Sequence, residues 1–200
     1  MLKRMLLCAP LLALSLASPA SGEGSEPAAI DRTFAFAATE IEQAARRPDA
    51  ALLSQLAGWL SANFGLAAMT ETPRIEFVTP ARMAAVRFRG VASDRQAAEA
   101  GRSAPPEFGH DIYALYDSRS RTIYLHERWD AGSPADMSIL AHELVHHLQN
   151  LSGEQFACPH GREKDAYAAQ RAWLAQSGRT IEEEFEIDAM TILVRSNCLD

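Results

Sequence analysis

SPADMSILAHELVHHLQNLSG, residues 133–153, is the stretch from which the rest of the chain can be read. A Ser at the cap, Pro134 in the first turn and an early acid, Asp136, mark a helix start. The helix runs to about Leu151 and stops at Gly153, a residue suited to the left-handed conformation past a helix end. Leu140, Leu144, Leu148 and Leu151 recur at steps of four, four and three, a stripe that anchors the helix in a core. On another face His142 and His146 stand one turn apart. A rise of about 1.5 Å per residue puts the two imidazoles about 6 Å apart along the axis. Each can reach one zinc ion at a bond length of about 2.0–2.1 Å. Glu143 projects beside such an ion rather than onto it, where a general base for water activated by zinc must stand.

The flanking sequence sets the fold class. Upstream, Asp111–Tyr116 and Arg121–His126 are short β-rich runs joined by Asp117-Ser118-Arg119-Ser120, a hairpin leading into the helix. Arg74–Val78 alternates and reads as a further strand, and Thr79-Pro80 opens a short helix to Arg87. Ala29–Arg46 and Asp49–Asn63 are Ala- and Leu-rich helices parted at Pro48, the second ending at Gly65. The stretch 90–109, polar and carrying Pro105-Pro106, is expected to be a long loop. Downstream, Arg162–Gln176 and Thr180–Val194 are helical, the first stopped by Gly178. The expectation is a single α+β domain over residues 29–200, mostly helical, with a small antiparallel sheet before the helix that bears the histidines.

Catalytic zinc needs a third protein ligand and one open position. Cys158, His160, Glu163 and Asp165 are the candidates downstream. Glu163 is chosen because it opens a helix, which fixes its direction better than the Cys158-Pro159-His160-Gly161 turn fixes its own residues. Asp165 points roughly 200° away from Glu163 at about 100° per residue, so only one of the two can face the ion. His147 lies 100° round the helix from His146 at that same pitch and is assigned a surface or supporting role. Gln149 stands on the metal side of the helix, where it either holds a ligand or substrate or is plain helix surface. His110 and His126 lie near the hairpin, Glu182-Glu183-Glu184 suits a helix N-terminus, and Trp129 and Trp173 read as packing.

His142-Glu143-Leu144-Val145-His146, followed 17 residues later by Glu163-Lys164-Asp165-Ala166, resembles the zincin metallopeptidases of the gluzincin type. The metzincin variant does not fit, because its Gly and third His would fall at 149 and 152, occupied here by Gln149 and Ser152. The chain is also similar to small exported bacterial domains of unknown function with this layout. The gluzincin resemblance covers residues 136–174 and implies a zincin-like fold, Zn2+ as cofactor, and His142, His146 and Glu163 as its ligands. Glu143 would be the catalytic acid/base and a peptide or protein the substrate. Many gluzincins carry Asp one turn after the ligand Glu, to support a motif histidine. Tyr167 stands there in this chain, and a tyrosine could instead donate to a developing oxyanion. The resemblance also implies that Thr122, Ile123, Tyr124, Leu125 and His126 form the sheet edge on which extended substrate pairs.

The N-terminus speaks to compartment. Lys3 and Arg4 precede an apolar run, Met5–Ala17, and Ser18-Pro19-Ala20 supplies a small-residue cleavage site, so residues 1–20 read as a signal peptide. Residues 21–28 would be a flexible entry to the mature chain. The run is shorter than the roughly 20 apolar residues that span a bilayer, so no membrane insertion is expected once the leader is gone. The expected location is periplasmic or secreted. Cys8 leaves with the leader, and Cys158 and Cys198 remain as a pair suited to a disulfide in an oxidising compartment. Net charge is −7 over 200 residues. Without Lys3 and Arg4 the 19 basic residues fall to 17 against 26 acidic ones, near −9. So acidic a chain has no electrostatic footprint for nucleic acid. The function expected is an exported zinc metallohydrolase cleaving peptide bonds. Its competitors are a zinc amidase acting on a cell-wall amide and a non-catalytic envelope protein that keeps zinc for stability.

Overall fold

The computed structural model describes residues 47–87 and 113–198. The expected leader, the flexible entry at 21–28, the helix at 29–46, the loop at 90–109 and His110 lie outside the described residues. Helix α1 (Ala50–Phe64) starts where the Asp49 carboxylate accepts from Leu52 N at 2.8 Å and ends at Gly65, whose φ of +67° costs glycine nothing. It buries Leu53, Leu56, Ala57 and Leu60, a stripe at helical spacing. Strand β1 (Arg74–Val78) runs straight into α2 (Pro80–Arg87). Strands β2 (Ala114–Asp117) and β3 (Thr122–His126) form the expected hairpin, and α3 (Pro134–Ser152) carries the two motif histidines. Ser133 accepts from Asp136 N, and Gly153 closes α3 in the left-handed conformation at φ +69°.

The domain is α+β and mostly helical, but its small sheet is mixed rather than antiparallel. The strand order is β1-β3-β2, with β2 antiparallel to β3 and β1 parallel to it, Arg74 opposite Thr122 and Val78 opposite His126. A parallel pair needs a crossover, and α2 begins the one that separates β1 from the hairpin. This order also corrects the expected substrate strand. Thr122–His126 is the central strand, with neighbours bonded on both sides, so its backbone offers no edge for β-augmentation. Both its faces are covered. Tyr124 packs with Val78, Met83 and Val86 on the α2 side, while Ile123 and Leu125 join the main core with α1 and α3.

Helix α3 sits at the centre. Leu140, Leu144, Val145 and Leu148 are fully buried, whereas Leu151 in the last turn is only half-buried. Helix α4 (Glu163–Ala175) follows a 3₁₀ turn at Pro159–Arg162 and lies along α3. Ala166 and Ala169, both fully buried, let the two helix backbones approach closely. The last expected helix is two: α5 (Ile181–Phe185) and α6 (Ala189–Arg195). Glu186 turns out of the helix at φ +54°, so that Phe185 and Ile187 both reach an apolar cluster with Ile139 and Leu174. Asp188 then starts a fresh helix by accepting from Thr191 N at 2.8 Å. Cys158 and Cys198 form the expected disulfide, with Cα atoms 5.8 Å apart. Among the described residues no helix is long and apolar enough to cross a membrane.

Candidate metal centre

The helical spacing of His142 and His146 brings their rings within 5.0 Å of each other, centroid to centroid. Glu163 opens α4, and the Ala-lined contact between the helices presses that end against both rings. One oxygen, Oε2, lies 3.1 Å from His142 Nε2 and 3.2 Å from His146 Nε2. One ligand atom from each residue falls within 4.8 Å of the others, a trio able to share one ion. Among the described residues no further His, Cys, Asp or Glu joins them.

The opposite ring nitrogens are engaged as well. His142 Nδ1 lies 3.0 Å from Gln170 Oε1, and His146 Nδ1 lies 3.1 Å from Gln149 Oε1. The Gln149 amide is oriented by its other end, since its Nε2 donates to the carbonyl of Arg162 at 3.1 Å, and a carbonyl can only accept. Oε1 therefore faces His146, and Nδ1 must donate to it. Arg162 Nε, 3.3 Å from the same nitrogen, is a second donor there and makes no hydrogen bond in that tautomer. Each imidazole thus meets an acceptor on both sides. Two states satisfy that: a doubly protonated ring, or a ring with Nδ1–H whose Nε2 lone pair binds a metal ion.

The titration directions fit such a donor set. Burial pushes the Glu163 carboxyl up, but hydrogen bonds from His142 and His146, with their charges, outweigh it and hold the group well below the usual carboxylate range. Burial pushes His142 down, and the Glu163 hydrogen bond with the charges of Glu143 and Glu163 reverses that, leaving it above the ordinary histidine value. The pocket favours a carboxylate and a positive charge side by side, which is what a divalent cation supplies.

Glu143, buried to 8% exposure, lines an open cleft of about 90 Å³ together with His142, Tyr167, Gln170 and Arg195. Tyr113 and Ala114, where β2 begins, form one wall, and Phe185 and Ile187 another. Tyr167 packs edge-on against His142 with ring centroids 4.9 Å apart. Burial raises the pKa of its hydroxyl, against a hydrogen bond with the Arg195 side chain.

The other candidates go elsewhere. Asp165 borders a separate pocket with Phe64 and Glu154, Cys158 is in the disulfide, and His160 Nδ1 donates to the Arg195 carbonyl at 3.1 Å. His147 is not at the surface but fully buried. It lies 3.1 Å from the Tyr116 hydroxyl through Nδ1, and through Nε2 donates to the Glu71 carbonyl at 2.7 Å. His126 bonds Asp136 at 3.0 Å and helps to close the start of α3. Trp129 and Trp173 pack in the main core, and the Glu182–Glu184 run pairs with Thr180, Arg171 and Arg179. Sequence reasoning missed Gln170 and Arg195. Gln170 could have been found as the residue two turns after Glu163 on the same helical face. Arg195 is brought in by the disulfide and carries no local signal.

These features define an α+β domain with a candidate His–His–Glu metal centre on a central helix. A family model described as Domain of unknown function (DUF6647) matches residues 45–200, and the chain belongs to that family. Comparison with curated proteins and with solved structures finds no match.

Proposed function

We propose that this protein is a zinc-dependent metallohydrolase that cleaves peptide bonds, of the gluzincin type, with His142, His146 and Glu163 as ligands and Glu143 as general base. The observation that carries the reading is the convergence of two Nε2 atoms and one carboxylate oxygen on one another, with His142 of that trio lining the same cleft as the buried Glu143. Three ligands leave a coordination position open, whereas zinc sites that serve stability are usually closed by a fourth. When bound, zinc would acidify a water and polarise the scissile carbonyl. Glu143 accepts the proton from the attacking water and returns it to the leaving nitrogen. Gln149 and Gln170 hold the imidazoles in the tautomer that frees Nε2. Tyr167, on the same cleft, is the donor available to the oxygen that gains charge.

With β3 enclosed in the sheet, the strand proposed for an extended substrate is β2, an outer strand among the described residues whose Ala114 lines the cleft. The disulfide suits an exported protein, in keeping with a leader at residues 1–20. The test is the zinc content of the purified mature chain beside Glu163→Ala and Glu143→Gln, with turnover of a peptide library. One zinc per chain is expected in the wild type and in Glu143→Gln, none in Glu163→Ala, and turnover in the wild type alone. A wild type that takes up no zinc at neutral pH would refute the reading.

A further inference from the structure

Gln149 and Gln170 each hold one motif histidine, and they differ at their other ends. Gln149 Oε1 faces His146 Nδ1, and its Nε2 is taken up by the Arg162 carbonyl. Gln170 Oε1 faces His142 Nδ1 at 3.0 Å, but its Nε2 has no hydrogen-bond partner among the described residues. The side chain is only 6% exposed, and it lines the cleft beside His142 and Glu143. Among the described residues no side-chain nitrogen or oxygen sealed from solvent lacks a partner. Gln170 Nε2 therefore keeps an opening, and the cleft is the opening that Gln170 lines. In both ring states that satisfy His142, Nδ1 donates to Oε1, so the amide keeps this orientation with or without an ion.

A side-chain amide nitrogen carries two N–H donors and accepts nothing. Whatever fills the cleft displaces solvent from it, and an N–H left there without an acceptor is costly, so a ligand that fits must bring one. Charge decides which acceptor. Glu143 lines the same cleft, and Glu163 Oε2 lies 3.1 Å from the far nitrogen of the His142 ring, so an anionic acceptor would meet two carboxylates. A neutral peptide carbonyl meets no such repulsion. Gln170 stands one hydrogen bond and one imidazole away from the nitrogen that faces Glu163, so the carbonyl it holds belongs to a residue next to the bond cleaved or one beyond.

We propose that Gln170 is a substrate-binding residue whose Nε2 donates to a main-chain carbonyl within two residues of the scissile bond. Recognition of this kind reads the peptide backbone and tolerates varied side chains. It rests on the metallohydrolase reading for the identity of the bond cleaved, while the hydrogen bond itself needs no metal.

The test is calorimetric titration of the full mature chain, in EDTA to stop turnover. The probes are N-acetyl-Ala-Ala-Phe-Ala-Ala amide and the same peptide with one carbonyl at a time replaced by a thiocarbonyl. Sulfur is the weaker acceptor, so at one position the exchange should weaken binding by about three- to tenfold. Gln170→Glu keeps an acceptor for His142 Nδ1 and, as a carboxylate, has no N–H to offer, so it should bind both forms of that peptide alike. A wild type indifferent to every exchange, or one that binds none of these peptides, overturns the proposal. The same loss persisting in Gln170→Glu, as a merely structural Gln170 would give, overturns it too. A second reading needs no variant. With isotope-labelled glutamine, the Gln170 side-chain amide protons, assigned through their neighbour His142, should shift downfield on binding the all-oxygen peptide, and an unmoved signal at saturation overturns the proposal. Zinc content measured on the same preparations before EDTA reports separately on the metal centre, so failure of one reading is not mistaken for failure of the other.

Discussion

Replacing Gln149 or Gln170 by Leu should weaken zinc binding by unequal amounts, and the structure sets the order. Each amide accepts from the Nδ1 of one of the two proposed histidine ligands, at 3.1 Å for Gln149 and 3.0 Å for Gln170. Losing such a partner typically costs about 10- to 100-fold in metal affinity, because the ring is freed to rotate and to protonate at the wrong nitrogen. That is about 1.4–2.7 kcal/mol. Gln170→Leu touches one ligand and belongs near the lower end. Gln149→Leu also releases the Arg162 carbonyl, the peptide immediately before Glu163, so it loosens two ligands and belongs near the upper end. Gln170→Glu keeps an acceptor at Nδ1 and should hold zinc at least as tightly as the wild type. The assay is competition against a chromophoric chelator at neutral pH, with thermal unfolding in EDTA to confirm that each variant folds. Wild-type affinity in both Leu variants would refute the second-contact argument. A larger loss in Gln170→Leu would refute the bridging role of Gln149.

Three further outcomes concern stability. Leu144→Ala opens a cavity beneath the helix that carries His142 and His146, at a fully buried site, and should lower the unfolding free energy by about 2–5 kcal/mol in urea titration. Removing the disulfide with Cys158→Ser and Cys198→Ser releases a loop of 40 residues; the loss expected is about 4 kcal/mol, and stability of the double variant should be indifferent to added reductant. Tyr116→Phe leaves His147 and Asn150 short of a partner inside the core, a cost of about 1–3 kcal/mol. Burial raises the Tyr116 pKa, so the unfolded chain gives up this proton first and the wild type loses stability as pH rises above about 10. In Tyr116→Phe that part of the alkaline slope should vanish, and an unchanged slope would show that Tyr116 does not contribute to it.

What could be read from sequence was whatever is written within a few residues. Asp49 and Gly65 bracket α1, Ser133-Pro134 and Gly153 bracket α3, and the alternation of Arg74–Val78 marks β1, all signals set by local backbone chemistry. That Glu163 and Asp165 point to different sides of α4 was legible for the same reason, since helical pitch parts the two, and it is Glu163 that lies against both histidines. What could not be read was pairing at a distance. Nothing within Thr122–His126 says that Arg74–Val78 lies along it in parallel, so a strand expected at the edge turned out central. Its two-sided apolar content, with Ile123, Tyr124 and Leu125 in succession, was the overlooked sign of burial on both faces. The break at Glu186 escaped notice because the demand came from elsewhere: Phe185 and Ile187 must both reach the cluster around Ile139 and Leu174.

Glu163, the proposed third ligand, is the least local part of the candidate centre, and four separate constraints bear on it. The fully buried Ala166 and Ala169 let α4 lie close against α3 and set its depth. The Gln149 amide grips the carbonyl before Glu163 while holding His146 with its other end, so one side chain ties the direction of an imidazole to the position of a carboxylate. The disulfide pins Cys158, the residue that precedes the 3₁₀ turn into Glu163, to the segment after α6. The carboxylate also sits in the first turn of α4, where the helix dipole favours negative charge. A ligand so constrained loses little freedom when an ion binds, the condition under which donors from two helices can act as one site. Opening the disulfide should therefore loosen zinc binding as well as lower stability, and an unchanged zinc affinity in the Cys158→Ser, Cys198→Ser variant would refute that constraint.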